Sequence, residues 1–249
     1  MIKLKSSENI EKMKAAGRIT AGALEAAREH IRPGATPLQT DAAVRRYIES
    51  HGARPSFLGY GGFPGSACIS VNDTVIHGIP DHTPYKEGDI VSVDVGAYFD
   101  GWHGDSARTF FCGKVSDEAV LLEKAAREGF YAGMAKAVPG NRIGDISAAI
   151  EEVVTSYGFS IVREYVGHGV GRALHEDPDV PNYGRAGRGV RLCEGMVIAI
   201  EPMINTGTEK VKVLDDEWTV KTLDGGLSAH YENTVAITAD GPVILTKLD

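Results

Sequence analysis

One pattern occurs twice along this chain of 249 residues, and it restricts the folds that the chain can adopt. In each half, two stretches with apolar residues at helical spacing are separated by a Pro-Gly pair. The pairs, Pro33-Gly34 and Pro139-Gly140, lie 106 positions apart. Because Pro and Gly commonly end helices, each half is predicted to begin with two helices. The predicted helices cover residues 7–31, a segment from about 41, residues 117–138 and a segment from 145.

A similar offset relates two apolar segments that carry an acid. GDIVSVD runs from Gly88 to Asp94, and GMVIAIE runs from Gly195 to Glu201, 107 positions later. Short apolar runs bounded by turn residues are typical of buried strands. Each segment is therefore predicted to be a buried strand that ends on its carboxylate.

A third repeat follows each of these strands. HGD, which ends at Asp105, precedes the apolar run 109–112, and HYE, which ends at Glu232, precedes the run 234–237. Helix, Pro-Gly turn and helix also occur together by chance, but the near-constant offset favours an internal duplication. We therefore predict one domain with two related α/β halves, about residues 7–112 and 117–237, and a site where they meet.

Four carboxylates on or beside apolar strands need compensating charge. An unpaired buried carboxylate is costly, and no Lys or Arg lies close in sequence to Asp94 or Glu201. A salt bridge to a distant Arg would explain any one acid. For four acids in a twofold arrangement, a shared pair of divalent cations is the simpler explanation, because carboxylate oxygens suit hard cations and can bridge them.

The histidines divide into functional and structural candidates. His168 and His175 lie in GHGVGRALHEDP, where three glycines predict an exposed imidazole that is available to a ligand or substrate. His77 lies in HGIP, and the following glycine predicts a close approach to its ring. We interpret His103 and His230 as structural, and His30, His51 and His82 as surface residues.

Composition excludes several function classes. The formal charge of −8 disfavours binding to nucleic acid or to anionic membranes, and no apolar stretch is long enough to span a bilayer. The N-terminus shows no signal-peptide pattern. Three cysteines without a CxxC pair argue against a disulfide framework, and they suit the reducing cytoplasm.

Together these motifs resemble the type I methionine aminopeptidases, in the bacterial, single-domain form. The resemblance spans nearly the whole chain. It rests on HGIP at His77, VDVG at Asp94, HGD at Asp105, GHGVGRALHEDP from Gly167, IEP at Glu201 and HYENT at Glu232. It implies the α/β (α+β) "pita-bread" fold, in which antiparallel sheet is covered by helices in two pseudo-twofold halves around two metal ions.

The resemblance also implies residue roles. Two divalent ions, Co, Mn, Fe or Zn, would activate water for removal of the N-terminal Met, with a preference for a small second residue. Glu201 would also shuttle protons, His175 would bind the carbonyl oxygen and His77 would steady the scissile amide. The implied metal ligands are Asp94, Asp105, His168, Glu201 and Glu232.

An apolar pocket for the Met side chain is implied as well. Two neighbouring positions depart from the usual bacterial pattern, since Phe57 stands where a small residue is common and Leu174 where an aromatic is common. Cys68 has no adjacent base in sequence, which argues against a catalytic nucleophile. The residues that match the family's Met pocket are Tyr60, Phe63, Cys68 and Trp218.

Two other classes compete with this interpretation. A prolidase or aminopeptidase P shares the fold but usually carries a further N-terminal domain, and a non-catalytic relative would have lost metal ligands. The complete ligand set favours an enzyme. Its expected partners are nascent peptides that begin with Met, with the ribosome as a candidate contact. We expect a cytoplasmic monomer without nucleic-acid or membrane binding.

Overall fold

The computed structural model describes residues 1–248. Its helices are α1 Ser7–Arg28, α2 Pro37–Ser50, α3 Asp117–Met134 and α4 Ile143–Ser156, with one 3-10 turn at Tyr60–Gly62. Its strands are β1 Arg54–Pro55, β2 Ala67–Val71, β3 Thr74–Ile76, β4 Ile90–Phe99, β5 Trp102–Phe111, β6 Ser160–Ile161, β7 Gly167–Gly169, β8 Glu176–Val180, β9 Val197–Ile200, β10 Met203–Asn205, β11 Val211–Val213, β12 Val220–Thr222, β13 Ser228–His230, β14 Asn233–Thr238 and β15 Gly241–Ile244.

The four predicted helices are present, with shifted ends. In α1 the Ser6 hydroxyl accepts a hydrogen bond from the Asn9 amide, and the helix ends at Arg28, three residues before the predicted end. α2 begins at Pro37, four residues before the predicted start. Thr36 and Gln39 form a reciprocal capping box there, and the prediction overlooked this signal.

The helices of the second half differ from prediction in the same modest way. α3 is capped by Ser116 and ends at Met134, four residues before the predicted end. α4 begins at Ile143, so Asp145 is the third helical residue and not the first. Its carboxylate accepts a hydrogen bond from the Arg142 amide, which satisfies a free donor at the helix start.

Two main antiparallel sheets organise the molecule. In the first half β4 pairs with β1, β2 and β5, and in the second half the strand order is β15-β14-β9-β7-β8. α1 packs on β4 and β5, while α3 contacts β9 and α4 contacts β8. Antiparallel sheet is thus covered by helices in both halves, and the predicted fold class is confirmed.

Each half has its own apolar core. The first contains Leu24, Val44 and Val93, and the second contains Leu122, Ile150 and Ile198. A smaller cluster that includes Met13, Val197 and Leu245 connects them. No helix within residues 1–248 is both long enough and apolar enough to cross a membrane.

Strand β5 joins the two halves directly. The Glu232 amide donates to the Ala107 carbonyl at 2.9 Å, and the Asp105 amide donates to the Thr234 hydroxyl at 3.0 Å. These bonds bring two of the acids in the repeated motifs to the junction between the halves.

The prediction that both acid-bearing strands end on their carboxylate is half right. Glu201 directly follows the end of β9. Asp94 instead lies in the middle of β4, because that strand continues to Phe99 and forms a hairpin with β5, with ten residues in each strand. The pairing across this hairpin places Asp94 opposite Ala107, and Asp105 opposite Gly96.

Candidate active site

The four acids from the repeated strands meet at one end of a cavity of about 680 Å³. All eleven residues predicted for the site line this cavity: Tyr60, Phe63, Cys68, His77, Asp94, Asp105, His168, His175, Glu201, Trp218 and Glu232. The fold therefore brings the predicted residues into one region, although they come from positions up to 172 apart.

The predicted metal ligands form a tight cluster around one imidazole. His168 Nε2 lies 3.7 Å from Asp105 Oδ2 and 3.6 Å from Glu201 Oε1. Candidate ligand atoms of Asp105, His168 and Glu232 all lie within 4.8 Å of one another. Asp94 is close enough to exchange hydrogen bonds with Asp105 and Glu232. One histidine and four carboxylates thus form one contiguous cluster.

Burial strongly disfavours charge on these acids. It raises the pKa of Asp105 to about 7 and raises the pKa values of Asp94, Glu201 and Glu232 well above their usual range. The negative charge of Asp105 raises the pKa values of the other three further. Four crowded carboxyl groups of this kind need cations in order to ionise together.

The chemistry of this donor set fits divalent metal ions. Asp94 Oδ1 and Asp105 Oδ1 are buried without a hydrogen-bond partner. No Lys or Arg in the described part of the chain forms a salt bridge with any of the four acids. The nearest guanidinium, that of Arg108, donates to the backbone carbonyl of Glu232 and to Asn233. A bound divalent cation would supply the partner that these buried carboxylate oxygens lack.

The orientation of His168 also suits a metal ligand. Its Nδ1 lies 2.9 Å from the Gly169 carbonyl, and the geometry requires Nδ1 to donate. The lone pair is therefore on Nε2, which points at the acids. Burial lowers the pKa of His168 to about 3, so the ring is neutral at pH 7, as metal coordination requires.

The other two predicted histidines lie beside this cluster. The His175 ring is 4.2 Å from the His168 ring, and its Nδ1 is 2.8 Å from the Tyr60 hydroxyl. The His77 ring packs edge-on against Tyr165 at 5.7 Å between ring centres. Burial lowers the pKa of His77 to about 4 and lowers that of His175. Two neutral imidazoles thus line the cavity next to the acids.

The glycines of these motifs serve packing, contrary to prediction. His168 is only 9% exposed, so the expected exposed imidazole is wrong. A Cβ on Gly167 would lie 2.4 Å from the Ala199 carbonyl, and one on Gly169 would lie 2.2 Å from the Asp177 carbonyl. Gly78 likewise packs closely against the Ile69 backbone.

The two histidines interpreted as structural have different environments. His103 Nδ1 is 2.8 Å from the Ser56 hydroxyl, which agrees with a structural role. His230 Nε2 is buried without a partner, 3.7 Å from Glu201 Oε2. His230 therefore belongs to the surroundings of the acid cluster, and its H-x-E spacing relative to Glu232 was the available signal. Tyr165, which lines the cavity and contacts His77, belongs to no motif that would have marked it in the sequence.

An apolar wall closes the other side of the cavity. Phe57, Phe63, Cys68 and Leu174 form a buried cluster, and Trp218 packs edge-on against Phe63 at 5.2 Å. The two residues that depart from the family pattern therefore both belong to this wall. Burial raises the pKa of the Cys68 thiol, which argues against a reactive thiolate.

Comparison with known proteins agrees with this geometry. Residues 11–239 match the model of Metallopeptidase family M24. The chain is 53% identical to the methionine aminopeptidase of Clostridium acetobutylicum, with 99% of each chain covered. The chain belongs to the methionine aminopeptidases of family M24. The prediction from the sequence motifs is thereby confirmed.

Solved structures support the same assignment. The methionine aminopeptidase of Thermotoga maritima superposes with a TM-score of 0.98, at 46% identity and with 100% of both chains covered. The prolidase of Pyrococcus furiosus has a TM-score of 0.79 at 26% identity, and the match covers 99% of this chain but 66% of the prolidase. The competing prolidase interpretation is therefore the weaker one.

Proposed function

We propose that this M24 member removes the N-terminal methionine from polypeptides with a small second residue, using two divalent metal ions. The observation that carries the proposal is the cluster of four buried or partly buried carboxyl groups and His168 in a cavity with an apolar wall. The family supplies the reaction class, and the arrangement of acids supports two ions.

The residues that would hold the ions are the five that converge. Asp94, Asp105 and Glu232 can each offer two oxygens, which allows bridging, and His168 offers Nε2. Glu201 completes the set. When bound, such ions polarise a carbonyl and bring the pKa of water close to neutrality. Mn, Fe, Co and Zn all suit this mixed oxygen and nitrogen donor set.

Glu201 is suited to move the proton. Its Oε1 lies 3.6 Å from His168 Nε2 at the acid cluster, where a carboxylate can accept a proton from a neighbouring water. It would accept a proton from the attacking water and deliver it to the amine of the departing peptide. The peptide bond breaks between the Met carbonyl carbon and that nitrogen.

The two imidazoles are suited to bind the reacting amide. His175 would donate a hydrogen bond to the carbonyl oxygen as that oxygen gains negative charge, and this bond strengthens at the transition state. His77 would hold the scissile amide from the other side. In that arrangement both rings would border the space of the second residue, which would favour a small side chain there.

The apolar wall is suited to the Met side chain. A flexible thioether packs well against the aromatic edges of Phe63 and Trp218 and the small Cys68 side chain. Phe57 and Leu174 would shape the same pocket. The physiological substrates would be nascent peptides in the cytoplasm, with the ribosome as a candidate contact and a monomer as the working form.

Peptide hydrolysis after metal removal tests the proposal. The protein is treated with a chelator, and Met-Ala-Ser, Leu-Ala-Ser and Pro-Ala-Ser are then supplied with Mn²⁺, Fe²⁺, Co²⁺ or Zn²⁺ in turn. We expect release of Met from Met-Ala-Ser after metal addition and little release from the other two peptides. Absence of Met release with all four metals would contradict the proposal. Preferred cleavage of Leu-Ala-Ser would contradict the assigned pocket for the Met side chain.

A further inference from the structure

The glycine-rich turn around Tyr60 is closed by backbone hydrogen bonds. Gly59, Gly61 and Gly62 all have positive φ, which glycine adopts without strain. The Gly59 amide donates to the Phe63 carbonyl at 2.8 Å, and the Phe63 amide donates to the Tyr60 carbonyl at 3.0 Å. The turn therefore presents the Tyr60 side chain in a defined direction.

That direction leads to the imidazole of His175. Tyr60 is 47% exposed, yet its hydroxyl lies 2.8 Å from His175 Nδ1, and the two ring centres are 5.3 Å apart. The two residues are 115 positions apart in sequence. Because Nδ1 is engaged by the phenol, Nε2 is the nitrogen left to meet a substrate.

A neutral imidazole carries one proton, so the partner of one nitrogen decides what the other can do. If the phenol donates to Nδ1, the ring proton resides on Nε2, and His175 can donate to a carbonyl oxygen. If the phenol accepts from Nδ1–H, Nε2 bears a lone pair and repels that oxygen.

We propose that Tyr60 is a positioning residue for His175, because its hydroxyl donates to Nδ1 and keeps the proton of the neutral ring on Nε2. The inference rests on the proposed function, in which His175 donates to the Met carbonyl. Tyr60 thereby has a task beyond contact with the Met side chain.

The direct test is nitrogen NMR of the histidine rings. Full-length protein labelled with ¹⁵N-histidine is prepared with Zn²⁺, which is diamagnetic, and His175→Gln identifies the His175 signals. We expect wild-type His175 to show an unprotonated Nδ1 and a protonated Nε2. Tyr60→Phe retains the ring but removes the hydroxyl, and we expect the Nδ1-protonated form to become populated.

Tyr165→Phe is the matched control, since Tyr165 also lines the cavity but contacts His77. It should leave the His175 ring signals unchanged. A protonated Nδ1 in the wild type, an unchanged His175 tautomer in Tyr60→Phe, or an equal change in Tyr165→Phe would each overturn the proposal.

Kinetics provide a second readout. Loss of one hydrogen bond predicts a decrease of ~3- to 10-fold in kcat for Tyr60→Phe, with KM nearly unchanged. In a His175→Ala background, Tyr60→Phe should have no further effect on kcat, since the two residues act as a unit. Equal losses in both backgrounds would show that the hydroxyl acts through packing and would contradict the proposal. The NMR test needs no turnover, so failure of the proposed function in peptide assays remains distinguishable.

Discussion

The two halves of the molecule supply different parts of the site. The first half contributes aspartates on two paired strands of one hairpin, β4 and β5. The second half contributes the longer glutamates at the end of β9 and just before β14, together with His168 and His175. Neither half holds a complete ligand set, so the site depends on the contact between them.

The N-terminal part of the chain also contacts the segment of the second half that carries His175. Tyr60 of the first half contacts His175, and Lys5 of the N-terminal segment forms an ion pair with Glu176, the next residue along the chain. The two halves therefore contribute side chains of different length and type, and their parts of the site are not interchangeable. The predictions that follow probe this division of roles.

The largest effect is expected for a first-half ligand. Asp105→Asn keeps the size of the side chain but removes its charge, and we expect metal affinity to decrease by more than ~100-fold, with near-complete loss of Met release. Calorimetric titration with Mn²⁺ measures the affinity. Asp100→Asn, an exposed position at the turn of the same hairpin, is the control. Unaltered metal affinity in Asp105→Asn would show that Asp105 is not a metal ligand.

A second-half histidine should affect chemistry and not metal binding. We expect His175→Ala to reduce kcat by ~10²- to 10³-fold, the usual loss when one donor to a developing oxyanion is removed. Metal affinity should remain as in the wild type. Peptide hydrolysis and calorimetry on the same protein separate these effects, and a large loss of metal affinity would make His175 a ligand instead.

Removal of the ion pair at the N-terminal segment should cost about 3 kcal/mol of unfolding free energy at pH 7. The Lys5 and Glu176 side chains are only 4% and 5% exposed, so Lys5→Met leaves a buried carboxylate unpaired. Lys14→Met removes an exposed pair with Glu11 and should change stability little. Urea denaturation measures both.

The same pair predicts a pH dependence. Burial acts to raise the pKa of Glu176, but the hydrogen bond and charge of Lys5 outweigh it, and the net pKa is lowered. The ion pair therefore stabilises the folded state fully at pH values above the pKa of Glu176 in the unfolded chain, which is about 4.3. This stabilisation is lost as the pH falls through the lower pKa that Glu176 has in the folded chain. The difference between wild type and Lys5→Met should shrink from pH 7 to pH 3. A difference that grows on acidification would contradict this sign.

The two cores allow a matched comparison of stability. Leu24 of α1 and Leu122 of α3 are both buried, one in each core, and replacement of either by Ala should cost about 2–5 kcal/mol. Leu121, which is 45% exposed in the same helix as Leu122, is the control, with an expected change of about 0.5 kcal/mol or less. Because the halves share the connecting cluster, we expect one unfolding transition in each variant. Two transitions in calorimetry would show that the halves unfold separately.

Sequence patterns predicted the four helices, and they selected residues that the fold brings to one cavity, because local signals mark both. Apolar periodicity indicated the four helices, and acids beside β-branched runs indicated the ligand strands. The prediction missed the start of α2 because the Thr36 cap was overlooked. It shortened β4 because Asp94 and Gly96, two residue types that are uncommon within strands, interrupt the apolar run.

Other features depend on contacts between distant segments, which a single sequence does not record. The glycines around His168 are required by backbone packing and do not expose the ring. The approach of His230 to Glu201 and the bond from Tyr60 to His175 each join elements that only the folded chain brings together. The internal duplication and the single-domain organisation remain predictions.

The central claim is that acids from both halves, with one imidazole, hold a pair of divalent ions. Anomalous diffraction from a crystal grown with Mn²⁺ tests it most directly. We predict two peaks roughly 3.5–4 Å apart, with Asp94, Asp105, His168, Glu201 and Glu232 as their protein ligands. A map without peaks at this cluster, or with peaks bound by residues of one half alone, would contradict the account.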